Sequence, residues 1–321
     1  MPLISDSTYR APALFTNPHV QTVFPSLFRK VSGVEYHRET INTPDGDFFD
    51  VDWSRVSSDR AAIITHGLEG DSERAYMRGM VKALNRGGWD AVAMNFRGCS
   101  GRPNRMLKSY HSGETGDLDV VVSHVREKDR YREIALVGFS LGGNVALKYA
   151  GERADRIDPL VQKLVAFSVP CDLESSAYKI SEPGNRIYLK RFLRLLRKKI
   201  RAKMELMPDR IDDRGYDKIT SFQEFDDRYT APINGFADAL DYWHKCSCKP
   251  FLPSIAIRAL LISAADDPFL PGLCYPVAEA ESSPRLFLDT PGHGGHVGFV
   301  QFNAGGEYWS ESRAVSFLNA S

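Results

Sequence analysis

The sequence predicts an α/β architecture: a mostly parallel central sheet with helices on both faces and one inserted helical cap. Three observations predict it. Short apolar runs alternate with helical patterns, the runs are unbroken rather than alternating, and the rhythm fails once. The runs are residues 61–65, 91–94, 134–137, 164–168, 259–263 and 285–288. Strands covered on both faces read as continuous apolar stretches. Helical patterns over 73–86, 118–128 and 141–154 separate them, which implies parallel pairing through crossover helices. Residues 34–43 and 48–53, joined through Pro44-Asp45-Gly46, read as an N-terminal antiparallel hairpin. Between 169 and 258 no core strand is evident. The reading is therefore a core over 1–168 and 259–321, with a helical cap over 169–258.

Bulk properties narrow the function classes. Of 321 residues, 43% are hydrophobic, enough for a sizeable core. Lys+Arg and Asp+Glu stand at 41 each, so the net charge is zero and a global nucleic-acid binder is not expected. The first residues show neither a basic nor an apolar signal region, and no run of about 18 apolar residues occurs. Five cysteines do not suggest a disulfide framework. A cytoplasmic protein is expected. Cys246-Ser247-Cys248 beside His244 lacks the two-half spacing of a zinc site, so no metal is expected there. The oligomeric state is left open.

Gly138-Phe139-Ser140-Leu141-Gly142 is a G-x-S-x-G pattern. By average residue usage it arises by chance roughly 0.1 times in a chain this long, so context decides. An apolar strand precedes it and a helical pattern follows it. A sharp strand–turn–helix that exposes a serine is the nucleophile elbow of the α/β-hydrolase fold. The elbow is needed because a serine hydroxyl is a weak nucleophile unless it is held against a base. The plain rival is a glycine-rich helix start capped by a serine.

In this fold one oxyanion donor is the N–H after the nucleophile, here Leu141. The other comes from the loop after an earlier strand. His66-Gly67-Leu68-Glu69-Gly70 follows the 61–65 strand, which makes Leu68 N–H the second donor. His66 precedes the nucleophile, whereas the fold orders its triad Ser, acid, His. It is read as shaping the loop by hydrogen bonding.

The acid belongs on the loop after 259–263, where Asp266 and Asp267 compete. The D-x-x-hydrophobic-Pro register with Pro271 favours Asp267, leaving Asp266 to cap its own turn. The base follows 285–288, in Pro291-Gly292-His293-Gly294-Gly295-His296. Two glycines before His296 and an apolar run after it favour that residue over His293. The expected set is Ser140, Asp267 and His296.

These motifs, taken together, resemble the YheT-like α/β-hydrolases, bacterial relatives of the human abhydrolase-domain proteins 1 and 3. The phrases that carry the resemblance span most of the chain. They are Asn17-Pro-His-Val-Gln-Thr-Val-Phe-Pro-Ser-Leu-Phe28, His66-Gly-Leu-Glu-Gly70, residues 95–105, Tyr110-His-Ser-Gly-Glu-Thr115, residues 138–144, residues 225–232, Asp266-Asp-Pro-Phe269 and Gly294-Gly-His-Val-Gly-Phe299. The resemblance implies the triad just given and ester hydrolysis without a cofactor. It implies a carboxylesterase acting on a small-molecule acyl ester through an acyl-enzyme. It leaves open a phospholipase or other lipid acylhydrolase, and more remotely a non-catalytic binding protein on the same scaffold.

Within the cap, residues 186–203 hold nine Lys or Arg and no acid. Leu189, Phe192, Leu196 and Ile200 fall at helical spacing. A basic amphipathic helix of this kind can lie on an anionic bilayer. The plainer expectation is that the stripe packs inward while the charges face water. Either way the cap is expected to control substrate access, with at most a weak peripheral membrane contact.

Overall fold

The computed structural model describes residues 2–320. Nine strands form one sheet: β1 (Leu3–Ile4), β2 (His37–Asn42), β3 (Phe48–Ser54), β4 (Arg60–Thr65), β5 (Asp90–Asn95), β6 (Glu133–Phe139), β7 (Val161–Phe167), β8 (Arg258–Ile262) and β9 (Leu286–Asp289). Their spatial order is β1-β9-β8-β7-β6-β4-β5-β3-β2. All pairings are parallel except β2–β3 and β3–β5.

The unbroken apolar runs have a physical reason. Successive side chains of a strand point to opposite faces. In β4, Ile63 packs into a cluster on one face while Ala62 and Ile64 join the cluster on the other. Both faces are covered, so neither position can be polar.

Helices α1 (Pro18–Phe28), α2 (Ala75–Arg86), α3 (Thr115–Arg126) and α4 (Leu141–Arg153) precede or lie between the first strands. After β7 come α5 (Leu173–Ser181), α6 (Arg186–Leu206), α7 (Phe222–Phe225), a π-helical turn (Asp226–Thr230), α8 (Ala231–Asn234) and α9 (Ala239–Cys246). These elements have a hydrophobic cluster of their own, including Leu189, Phe225, Tyr229 and Trp243. From Cys248 the chain packs back into the main core through Leu252, Ile255 and Ile257. Helices α10 (Val277–Ser282) and α11 (Trp309–Asn319) complete the core.

The sequence reading overlooked β1, α1, α10 and α11. β1 is two residues long, and its partner β9 is remote in sequence. α1 carries a legible start, with Asn17 accepting from the N–H groups of His19 and Val20 and Pro18 in the first turn. The basic run forms α6. Leu189, Leu196 and Ile200 are buried as the inward-packing alternative expects, but Leu193 joins them and Phe192 is only half-buried.

Candidate active site

In sequence β5 and β6 follow β4, yet they pair on its two sides, so the strand order reverses there. Open α/β sheets bind ligands beyond the C-terminal ends of strands at such a reversal. Ser140 directly follows β6, and the Gly67–Leu68 loop follows β4.

Ser140 has φ +52° and ψ −119°, a strained backbone for a residue with a side chain. The turn between β6 and α4 enforces it. A Cβ at Gly142 would lie 2.5 Å from the carbonyl oxygens of Thr65 and His66, so only glycine lets α4 start this close to β4. A Cβ at Gly67 would lie 3.2 Å from the Ser140 Cβ and 3.8 Å from its Oγ. The residue 67–68 backbone is thus against the serine. Neither Leu68 N–H nor Leu141 N–H has an acceptor among the described residues, and both residues line the same cavity as Ser140.

The Ser140 Oγ is 2.9 Å from Nε2 of His296. Nδ1 of His296 lies 2.9 and 3.1 Å from the two carboxylate oxygens of Asp267. A carboxylate only accepts, so Nδ1 carries the proton and Nε2 is left to accept from the serine hydroxyl. Asp267 is buried, and its Oδ1 also accepts from Phe269 N–H at 2.9 Å. The Phe269 ring packs on the His296 imidazole with centroids 4.4 Å apart.

The two competing residues pair with each other. Asp266 Oδ2 lies 3.1 Å from Nδ1 of His293, and Asp266 Oδ1 accepts from Gly295 N–H at 2.9 Å. Asp266 therefore tethers the 293–295 loop rather than capping its own turn, which is the work of Asp267. His293 is half-exposed and has no bond to Ser140.

His66 is fully buried. Its Nδ1 is 2.8 Å from Gly67 O, and its Nε2 accepts from Phe96 N–H at 3.2 Å. Burial pushes its pKa down to about 3. It is a neutral imidazole that holds the 66–67 loop.

Several supporting residues escaped the sequence reading. Thr22 Oγ1 of α1 accepts the His296 N–H at 2.9 Å, and Ser168 Oγ accepts the Val297 N–H at 2.9 Å. Gln21 is fully buried and accepts from Val300 N–H. Glu69, at φ +55°, accepts from the Tyr110 hydroxyl at 2.7 Å and pairs with Lys199 of α6 at 3.0 Å. This ion pair ties the cap to the residue after Leu68. The family phrases at 17–28, 66–70 and 110–115 contain Thr22, Glu69 and Tyr110, but only their contacts reveal what they do.

The histidine and cysteines near 246 go elsewhere. His244 pairs with Glu174, Cys246 lies 3.7 Å from His111 Nδ1, and Cys248 is in the main core. Among the described residues no cluster of three His, Cys, Asp or Glu side chains could hold a metal ion.

Ser140 and His296 open onto a cavity of about 350 Å³ beneath the cap. Leu173, Ile180, Phe192, Leu196, Phe222 and Phe225 form much of its wall. The buried carboxyl of Asp226 also lines it, accepting from the Trp243 indole at 2.8 Å and the Thr230 hydroxyl at 2.5 Å. Burial pushes this carboxyl up from 3.8 to about 7, outweighing those two donors. A raised native pKa means stability fully present below about pH 4 and lost as pH rises through 7. At about 1.4 kcal/mol per unit the loss is at most about 4 kcal/mol. Asp226→Asn is therefore expected to flatten the fall in stability between pH 5 and pH 8, measured by urea denaturation. An unchanged slope in the variant would refute the assignment.

The family model for the α/β-hydrolase fold matches residues 63–302, most of the chain. The chain belongs to the α/β-hydrolase family. Among members of this family, the esterase-designated YheT of Escherichia coli (strain K12) is 36% identical, over 95% of this chain and 91% of its own length. The monoacylglycerol lipase of Saccharomyces cerevisiae is 30% identical, over 93% and 77%. The human phospholipase ABHD3 is 28% identical, over 88% and 71%. An esterase structure from Pyrococcus furiosus shares the fold at a TM-score of 0.60 and 18% identity, covering 95% of this chain and 97% of that one. As an α/β-hydrolase, the chain stands with ester- and lipid-hydrolysing relatives.

Proposed function

We propose that the chain is a serine carboxylic-ester hydrolase in which Ser140 attacks, His296 transfers the proton and Asp267 orients the imidazole. The unbroken hydrogen-bonded line from Ser140 Oγ through His296 to Asp267 carries this reading. His296 accepts the hydroxyl proton as Oγ attacks the ester carbonyl carbon. Asp267 stabilises the imidazolium that forms. The Leu68 and Leu141 N–H groups receive the oxyanion, a contribution typically of about 3 kcal/mol per donor. His296 then protonates the departing alcohol. Water, deprotonated by His296, attacks the acyl-enzyme carbonyl; the bond to Ser140 Oγ then breaks, His296 returns the proton to Oγ, and the acid is released. The sequence of steps uses no metal or organic cofactor.

The cavity favours a lipid-type acyl ester within this class. Its wall is mainly apolar, and relatives named as a monoacylglycerol lipase and a phospholipase point the same way. With roughly 30 Å³ for a group the size of a water molecule, 350 Å³ accommodates a medium-length chain. Each buried methylene adds about 0.8 kcal/mol, about four-fold. A series of p-nitrophenyl esters is expected to show kcat/KM rising more than ten-fold from acetate to octanoate. A flat series would mean that the chain does not enter the cavity.

Asp267→Asn is expected to lower kcat by about 10⁴, because an amide presents the wrong partner to Nδ1 and permits the wrong tautomer. Asp266→Asn should cost less than ten-fold, since it weakens only a half-exposed loop tether. The reverse ranking, measured by steady-state kinetics, would move the acid to Asp266.

A further inference from the structure

The cavity reaches the surface between α1 and α6. Ser26 of α1 and Arg191 of α6 each line it and are also exposed, so they stand at its mouth. The two helices touch beside it, where the Tyr188 hydroxyl lies 3.0 Å from His19 Nδ1.

The outer face of α6 is set apart from the rest of that helix. Four of its nine cations are engaged: Arg197 and Arg201 on Asp213, Lys199 on Glu69, and Lys203 on the carbonyls of Asn104 and Met106. For these four, the expectation that the charges of this run simply face water does not hold. Arg186, Lys190, Arg191, Arg194 and Lys198 are exposed, and none has an ion pair or hydrogen bond among the described residues. At 3.6 residues per turn, 187, 190, 191, 194 and 198 share one face. Ile187 lies among them and is 82% exposed.

α1 supplies an apolar counterpart. It has no acidic residue, and Val20, Val23 and Leu27 recur at i, i+3 and i+7. Leu27 is 65% exposed, and exposed Phe28 and Phe302 both pack against Phe24 beside it. Aliphatic and aromatic side chains of this size, open to water beside unpaired cations, are an unfavourable surface unless something covers them.

We propose that this α1–α6 face docks on an anionic phospholipid bilayer and that the acyl ester enters the cavity directly from it. The occupant is chosen by charge and shape together. Lys190, Arg191, Arg194 and Lys198 meet lipid phosphates, while Ile187 and Leu27 reach the apolar layer beneath. An acidic protein or nucleic acid would use the cations but gain nothing from those aliphatic side chains. The chain as a whole has zero net charge, so the attraction is local and salt-sensitive. The inference rests on the acyl-ester reading above for what enters the cavity, though not for the docking itself.

The test is vesicle co-sedimentation at low salt, with phosphatidylcholine alone and mixed with phosphatidylserine. Two variants are compared with the natural protein: Ile187→Asp with Leu27→Asp, and Lys190→Glu with Arg194→Glu and Lys198→Glu. None of these residues lines the cavity. The natural protein should sediment with the anionic vesicles and at least about ten-fold less with neutral ones. Both variants should lose that binding. Both should keep hydrolysis of a short soluble ester while losing about ten-fold on a long-chain ester presented in anionic vesicles. Failure of the natural protein to sediment with anionic vesicles overturns the proposal. So does loss in the charge variant with full binding by the apolar one, which would mark a general polyanion surface. Sedimentation without hydrolysis of either ester would sustain the docking and refute the ester-hydrolase reading.

Discussion

Ser140→Ala is expected to lower kcat on a short aryl ester by about 10⁶ while leaving the fold intact. Removing a serine nucleophile removes the covalent route, and the loss typically has this size. The fold should survive for a local reason. The Ser140 N–H bonds to Phe167 O at 2.8 Å, and its carbonyl accepts the Asn144 N–H at 3.0 Å. Both bonds belong to the backbone, and alanine adopts φ +52° at no greater cost than serine. The hydroxyl's hydrogen bond is to His296. A fluorophosphonate probe should label the natural protein and not the variant, with matching thermal unfolding. Retention of a tenth of the activity would sink the assignment. Absence of labelling in the natural protein would instead favour a binding protein on a hydrolase scaffold.

His296→Ala is expected to cost about as much, about 10⁶, because serine and histidine act as one unit. The double variant with Ser140→Ala should fall no further than either single change. His293→Ala should retain most activity. Its imidazole is half-exposed and paired with Asp266, which still holds Gly295 N–H without it. Steady-state kinetics on the same ester separate the two. Comparable losses in both variants would leave the proton acceptor unassigned.

How far the sequence could be read follows from the range of the forces involved. β4, β6 and β8 were legible because a strand buried on both faces must be apolar at every position. The strand–turn–helix around Ser140 was legible because its constraint is local, with glycines where neighbouring backbone leaves no room. α1 was missed although Asn17 and Pro18 mark its start, because Pro25 stands inside it and its buried positions include Gln21, so no buried apolar stripe announces it. β1 could not be read at all. Two residues carry no periodicity, and only the hydrogen bonds to β9 make them a strand.

The choice between neighbouring candidates shows the same division. The proline register favoured Asp267, and the glycines favoured His296, but each was argued separately. The structure ties them together as two side-by-side pairs, Asp267 with His296 and Asp266 with His293. The pairs join loops 29 and 27 residues apart, which no local pattern specifies.

By itself, the sequence determined the α/β layering, the strand–turn–helix around Ser140 and the two short windows that hold Asp266–Asp267 and His293–His296. These depend on burial and on backbone sterics within a few residues. Only the tertiary structure decided which cations of α6 are free, that Glu69 joins the cap to the Leu68 loop, and that the cavity mouth lies between α1 and α6. Those properties depend on which side chains meet across long stretches of chain. A lysine paired with a remote glutamate and a lysine facing water are the same letter until the fold sets their distance.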